Sequence, residues 1–245
     1  MTHKTRGIVL RSIKYGESSL VVTIFTRLFG IQTYMVNGVR TSKQSSAKAN
    51  HFQPAAILDL LVYHHASGAM QRIKEFSWAL IYRELLNNVI RNSIASFMME
   101  LLMKCLKQPE PNNDLFDFVE DALIKLDQAG NTVTANFALF FALHLPHFLG
   151  FRISDNYNNT NNILDLEEGS FVSEQPVHPH FISGEEAKLT AKLLKVMQPS
   201  ELANFKLNQE IRRSLLLKYQ EYYTLHLPEF GQLKTLQVLH EVLGS

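Results

Sequence analysis

Apolar residues recur at two different spacings along this 245-residue chain, and the change near Trp78 limits what it can fold into. Before that point β-branched and aromatic residues stand in short runs broken by Gly, Ser, Asn and Pro, which is the pattern of strands. Five runs are expected, at 7–14, 20–28, 31–36, 55–65 and 70–78. Tight connections fall at 15–18 and 29–30, a hairpin turn at 66–69, and a polar stretch separates the third run from the fourth. Five strands with a long third connection is the order of an OB-fold, a small Greek-key barrel whose open face and loops bind single strands.

After Trp78 the spacing is helical. Leu85, Val89, Ile94, Phe97, Leu101 and Leu102 recur every three to five residues in 81–106, and Pro109 and Pro111 end the run. Further helices are expected at 114–127, 134–148, 184–197, 208–225 and 232–243. The expected fold class is therefore α+β and multidomain: a five-stranded OB-fold β-barrel over 1–80, then a mainly α-helical domain over 81–245. An Asn- and Gly-rich insertion at about 155–182 interrupts the second domain, and its ILDL and SFVS segments could pair as a small hairpin.

Charge divides at the same place. Residues 1–80 carry ten Lys and Arg against Glu17, Asp59 and Glu75, a net of +7, which leaves −6 for the rest. A barrel-sized module with that excess attracts polyanions, and nucleic acid is the commonest large one. The single cysteine, Cys105, excludes an internal disulfide and a thiolate metal cluster. The first residues lack an apolar core of signal-peptide length, so a cytoplasmic location is expected. Phe137–Phe151 is the most apolar stretch, too short to span a bilayer and interrupted by His144, Pro146 and His147, so it reads as a buried helix.

Binding a single strand takes cations that track phosphates and aromatic faces on which bases stack. Arg40, Lys43 and Lys48 lie in the polar connection after the third strand and are the first-rank cations; Arg6, Arg11, Arg27 and Arg72 are second-rank. Simple alternation puts Val9, Arg11, Ile13 and Tyr15 on one face of the first strand, and Leu20, Val22 and Ile24 on the inner face of the second. Phe25 and Tyr34 are the stacking candidates, with a core role equally open to each. In the helical domain Arg212, Arg213 and Lys218, and separately Lys104 and Lys107, form basic clusters that could hold an acidic peptide.

Ile8-Val9-Leu10-Arg11, Tyr15-Gly16-Glu17-Ser18, the run Val22-Thr23-Ile24-Phe25-Thr26-Arg27, Gly30 and Gly38-Val39-Arg40 together resemble the RecO family of bacterial DNA repair proteins. Met99-Glu100-Leu101-Leu102, Leu115-Phe116 and Leu233-Lys234-Thr235-Leu236 extend the likeness. The resemblance implies a recombination mediator that binds single-stranded DNA and anneals strands. It also implies work with RecR, contact with the acidic tail of single-stranded DNA-binding protein and loading of the RecA recombinase. Many relatives carry a four-cysteine zinc site near 155–182; this chain has no cysteine there, only His178 and His180, so zinc is not expected.

Catalysis is not expected. Cys105 reads as a buried small hydrophobe, and adjacent His64 and His65 point to opposite faces of a strand. No nucleotide-binding glycine loop is present. An OB-fold RNA-binding factor, and less so a metal-dependent nuclease using Asp165, Glu167, Glu168 and Glu174, are the competing readings.

Overall fold

The computed structural model describes residues 1–39, 48–65 and 70–243. Five strands close into a barrel: β1 (Thr2–Tyr15), β2 (Ser19–Thr26), β3 (Gly30–Val36), β4 (Ile57–Tyr63) and β5 (Gln71–Trp78), in the order β1-β2-β3-β5-β4. Closure depends on β1. Its first half, Thr2 to Ile8, pairs with β4, and its second half, Gly7 to Tyr15, pairs with β2. A strand shared in this way must bend between its halves, and β1 does so at a bulge between Val9 and Arg11. β3 and β5 complete the circuit by a short parallel pairing, Tyr34 with Gln71 and Met35 with Arg72.

The interior is filled by Val9, Leu20, Val22, Ile24, Tyr34, Val36, Leu58, Leu60 and Val62, and Phe52 of a short 3-10 helix, Asn50–Phe52, adds to it. The inward set on β2 is thus the expected one. On β1 the bulge overturns simple alternation: Val9 faces the core, whereas Arg11 and Ile13 register with Thr23 and Val21 on the outer wall. One inserted residue exchanges the two faces beyond it.

Outside the barrel, Ile57, Ile8 and Phe25 stand opposite one another across β4, β1 and β2, with no exposure although none belongs to the interior cluster. The helices of this region are α1 (Val89–Cys105) and α2 (Asn113–Gln128). Phe116 of α2 places its ring 5.5 Å from that of Phe25, and Leu115, Val119 and Leu123 complete a buried stripe on that helix. Asn112 caps α2 by accepting from the Leu115 N–H at 3.0 Å.

One compact unit accordingly comprises Met1–Leu86 together with Met99–Ile124, and the other comprises Asn87–Met98 with the chain from Lys125 onward. These units cut across a boundary at residue 80. The helical period expected from 81 also begins later than its apolar spacing suggests. Tyr82 and Leu85 are buried in irregular chain, the Tyr82 hydroxyl donating to Ala55 O at 2.8 Å, and α1 starts only after Asn88 accepts from the Arg91 N–H at 3.1 Å.

The second unit is built on α3 (Asn131–His144), of which every residue from Phe137 to Leu143 is buried. The segment Asn131–Leu149 is long and apolar enough to cross a membrane by length and composition, yet it is largely buried against its neighbours, as the sequence led us to expect. Around it lie α4 (Gly184–Leu194), α5 (Gln209–His226) and α6 (Lys234–Val242). The Tyr223 hydroxyl donates to Ala142 O at 2.8 Å, and Asn136 Nδ2 donates to Phe205 O at 2.8 Å. In the insertion, β6 (Ile163–Asp165) and β7 (Ser170–Val172) form the expected hairpin, and β8 (Phe181–Ile182) adds an unforeseen third strand on the other side of β6.

Two stability predictions follow from particular atoms. Gly30 has φ +62°, and a Cβ there would lie 2.2 Å from Glu110 O, a backbone atom that no rotamer change can move. Gly30→Ala should therefore lower stability by about 2–4 kcal/mol in chemical denaturation, whereas Gly16→Ala, with φ +58° but open space, should cost only about 1 kcal/mol; equal midpoints for the two would contradict the packing account. Burial holds the His144 imidazole below the ordinary histidine range, against the opposing effect of Leu193 O at 3.3 Å. The unfolded chain then takes up a proton before the folded one, so stability is complete above about pH 6.5 and declines as pH falls below it. Thermal unfolding between pH 7.5 and 5.5 should show this decline, and His144→Gln should flatten it.

Candidate nucleic-acid interface

Helix α2 meets the outer barrel wall at Phe25, Arg27 and Arg6, and the rows further along β1, β2 and β3 are half-buried or exposed. These rows can be read from the register. Arg11, Thr23 and Thr33 stand side by side across β1, β2 and β3. Next to them, Ile13, Val21, Met35 and Arg72 form a row across β1, β2, β3 and β5, and Tyr63 of β4 stands beside Arg72. Tyr15 extends the face at the end of β1. It is 58% exposed, and Ile13 is 44% exposed, on a wall whose other half buries residues of the same kind completely. Arg11 and Arg72 are exposed as well. The face therefore offers two cations, an aromatic ring and apolar surface on a rigid sheet, the combination that a flexible polyanion with planar bases requires.

The expected site residues divide into three groups. Arg11 and Arg72 lie on the open face, and Lys48 is exposed just before the Asn50–Phe52 turn. Arg40 and Lys43 lie outside the described residues, as does the hairpin turn at 66–69. Arg6 and Arg27 are on the barrel wall but already paired with carboxylates. Arg6 donates from Nε to Asp59 Oδ1 at 3.1 Å and from Nη1 to Glu120 Oε1 at 3.2 Å. Arg27 grips both oxygens of Asp117 with its two terminal nitrogens, and its guanidinium lies 5.7 Å from the centre of the Phe116 ring. Hydrogen bonds to Asp59 and to Asp117 raise the pKa of Arg6 and of Arg27, respectively. Lys4, Arg6, Arg27, Asp59 and Glu75 border a concavity of about 670 Å³ in this unit.

Both stacking candidates are corrected by the structure. Phe25 and Tyr34 have no exposure, so neither presents a ring face to a base. Phe25 is the seat of Phe116, and Tyr34 fills the barrel interior, where burial pushes its pKa far up against the opposing effect of a hydrogen bond with Thr26. Exposed on the strands instead are the rings of Tyr63 and Tyr15, the latter grouped by alternation with Val9. Its position immediately before Gly16 was the available signal, since a residue at the lip of a tight turn is hard to cover.

In the helical unit the supposed ridge of Arg212, Arg213 and Lys218 does not present three free cations. Arg212 is half-buried and donates to Leu207 O at 2.5 Å, and Lys218 donates to Glu221 Oε2 at 2.9 Å. Arg213 is exposed and borders a groove of about 420 Å³ between α5 and α6, with Leu217, Lys234 and His240. Lys104 is half-buried, and Lys107 is exposed beside a smaller concavity bordered by Cys105 and Pro111. Burial drives the Cys105 thiol strongly upward in pKa, which suppresses the reactive thiolate. In the insertion, His178 Nε2 lies 3.3 Å from Asp165 Oδ2 and His180 Nδ1 lies 2.5 Å from Glu221 Oε1. Among the described residues no three His, Cys, Asp or Glu are grouped to hold a metal ion.

Comparison with known proteins gives a consistent result over the whole length. The family described as recombination protein O N terminal matches residues 1–82, and that described as recombination protein O C terminal matches residues 86–237. The chain is 34% identical over 245 residues to the DNA repair protein RecO of Flavobacterium psychrophilum, with all of each chain covered. It is 32% identical over 244 residues to that of Phocaeicola vulgatus, again with all of each covered, and 31% identical to that of Azobacteroides pseudotrichonymphae, with 99% of each covered. With an OB-like barrel under the first match and a mainly helical region under the second, the chain belongs to the recombination protein O family of DNA repair proteins.

Proposed function

We propose that this protein is a recombination mediator that binds single-stranded DNA across the open outer face of β1, β2 and β3, and that it makes and breaks no covalent bonds itself. The observation that carries this reading is the uncovered half of the barrel wall, where Arg11 and Arg72 flank Ile13, Tyr15 and Met35 in a module of net charge +7. Phosphates meet the arginines, and at least one base stacks on Tyr15. Lys48 and the adjoining connection that holds Arg40 and Lys43 extend the cationic track.

Family membership supports the rest of the assignment. In this reading the protein anneals complementary strands and, with RecR, helps place RecA on strands coated by single-stranded DNA-binding protein in the cytoplasm. The acidic tail of that coat protein would meet the Arg213 groove between α5 and α6, where a cation borders the exposed side chain of Leu217.

Titration of fluorescent oligothymidylate at several salt concentrations tests the reading. Affinity should fall steeply with salt, and Arg11→Gln and Arg72→Gln should each reduce the slope by about 0.7. Tyr15→Ala should weaken binding by about 1–3 kcal/mol. Tyr34→Phe should leave binding unchanged, because the ring has no exposure. A preference for RNA over oligothymidylate, or binding indifferent to Arg11 and Arg72, would refute the proposed site.

A further inference from the structure

The two arginines nearest to α2 are also the two whose charge that helix cancels. Asp117 and Glu120 stand three residues apart, one helical turn, and reach Arg27 and Arg6 on the barrel wall. A single strand would offer those arginines phosphates in a comparable succession. We propose that α2 acts as a built-in substitute for polyanion on this part of the barrel, so that Asp117 and Glu120 remove Arg6 and Arg27 from the nucleic-acid interface and confine the strand to the Arg11 and Arg72 face. This inference rests on the reading of the open face as the single-strand site.

Magnitudes separate what holds α2 in place from what the carboxylates do. Phe25 and the facing Phe116 are both fully buried, and burial of large apolar rings is the dominant favourable contribution to such packing. The Arg27 and Asp117 side chains are 41% and 52% exposed, and pairs as open to water as this add little to stability. The apolar seat therefore keeps the helix docked with or without the acids. The carboxylates are left to set the local charge: Arg6 is shared between Asp59 and Glu120, and Arg27 is held by Asp117 through two bonds. The concavity beside them has the volume to admit a strand, but the cations Arg6 and Arg27 on its border are already neutralised.

The test is a salt titration of the full chain with fluorescent oligothymidylate. Asp117→Asn with Glu120→Gln should raise affinity about five- to tenfold at low salt and steepen the salt slope by roughly 0.7–1.4, the contribution of one to two additional phosphate contacts. Arg6→Gln with Arg27→Gln in an otherwise unchanged chain should alter affinity less than about twofold. The fourfold variant should return to the original slope. Should the gain persist in that variant, a general change of field rather than release of these arginines is responsible, and the proposal fails; it fails equally if the acid-to-amide pair binds no more tightly, or if the arginine pair alone weakens binding as much as loss of Arg11 and Arg72. Asp117→Asn alone, at a well-exposed position, repeats the measurement with little risk to folding. Absence of binding by the unmodified chain would instead refute the single-strand reading itself.

Discussion

The row of Ile57, Ile8 and Phe25 on the outer wall of the barrel determines much of what the rest of this unit can do. These side chains are as fully buried as the interior ones, and Phe25 is met by Phe116 of α2, a helix that follows the barrel by more than thirty residues of chain. Since burial of each ring of that pair is worth about 1.5–3 kcal/mol, the barrel and this helix stabilise one another. Away from that contact Arg11, Ile13 and Arg72 remain exposed. Function then falls to the uncovered part of β1, β2 and β3 because it is uncovered, and its polar and cationic side chains fit that situation.

Two kinds of arginine result from this arrangement. Arg11 and Arg72 face solvent with none of the carboxylate contacts that engage Arg6 and Arg27. A net charge of +7 for residues 1–80 therefore overstates what the barrel presents to a polyanion, because acids supplied by a later helix cancel part of it. Charge counted along a sequence segment and charge presented by a folded surface differ whenever another segment packs on it.

Much of the architecture was legible in the sequence. The five strand runs, the helical period after them and the hairpin of the insertion came from spacing and turn residues alone, and so did the inward set on β2. What escaped notice has identifiable causes. The bulge near Leu10 has no strong local signature, and it reverses the facing of Arg11, Ile13 and Tyr15 relative to Val9. For Phe25 the strand pattern leaves stacking and core roles equally open, because it cannot show that a distant helix will cover the ring. Tyr34 lies in the interior although it carries a hydroxyl, a polar group that sequence reasoning would assign to the surface. Leu85 fits a helical period but is used to bury irregular chain, and the helix waits for the cap that Asn88 provides.

Photo-crosslinking of an oligothymidylate that carries iodinated uracil, followed by mapping of the joined peptides, tests the central claim most directly. The account predicts crosslinks to the first three strands, with Tyr15 foremost and Met35 next, and none to the peptide of α2 that contains Asp117 and Glu120. Crosslinks confined to α2 or to the helical unit, with the peptide containing Tyr15 unmodified, would contradict it.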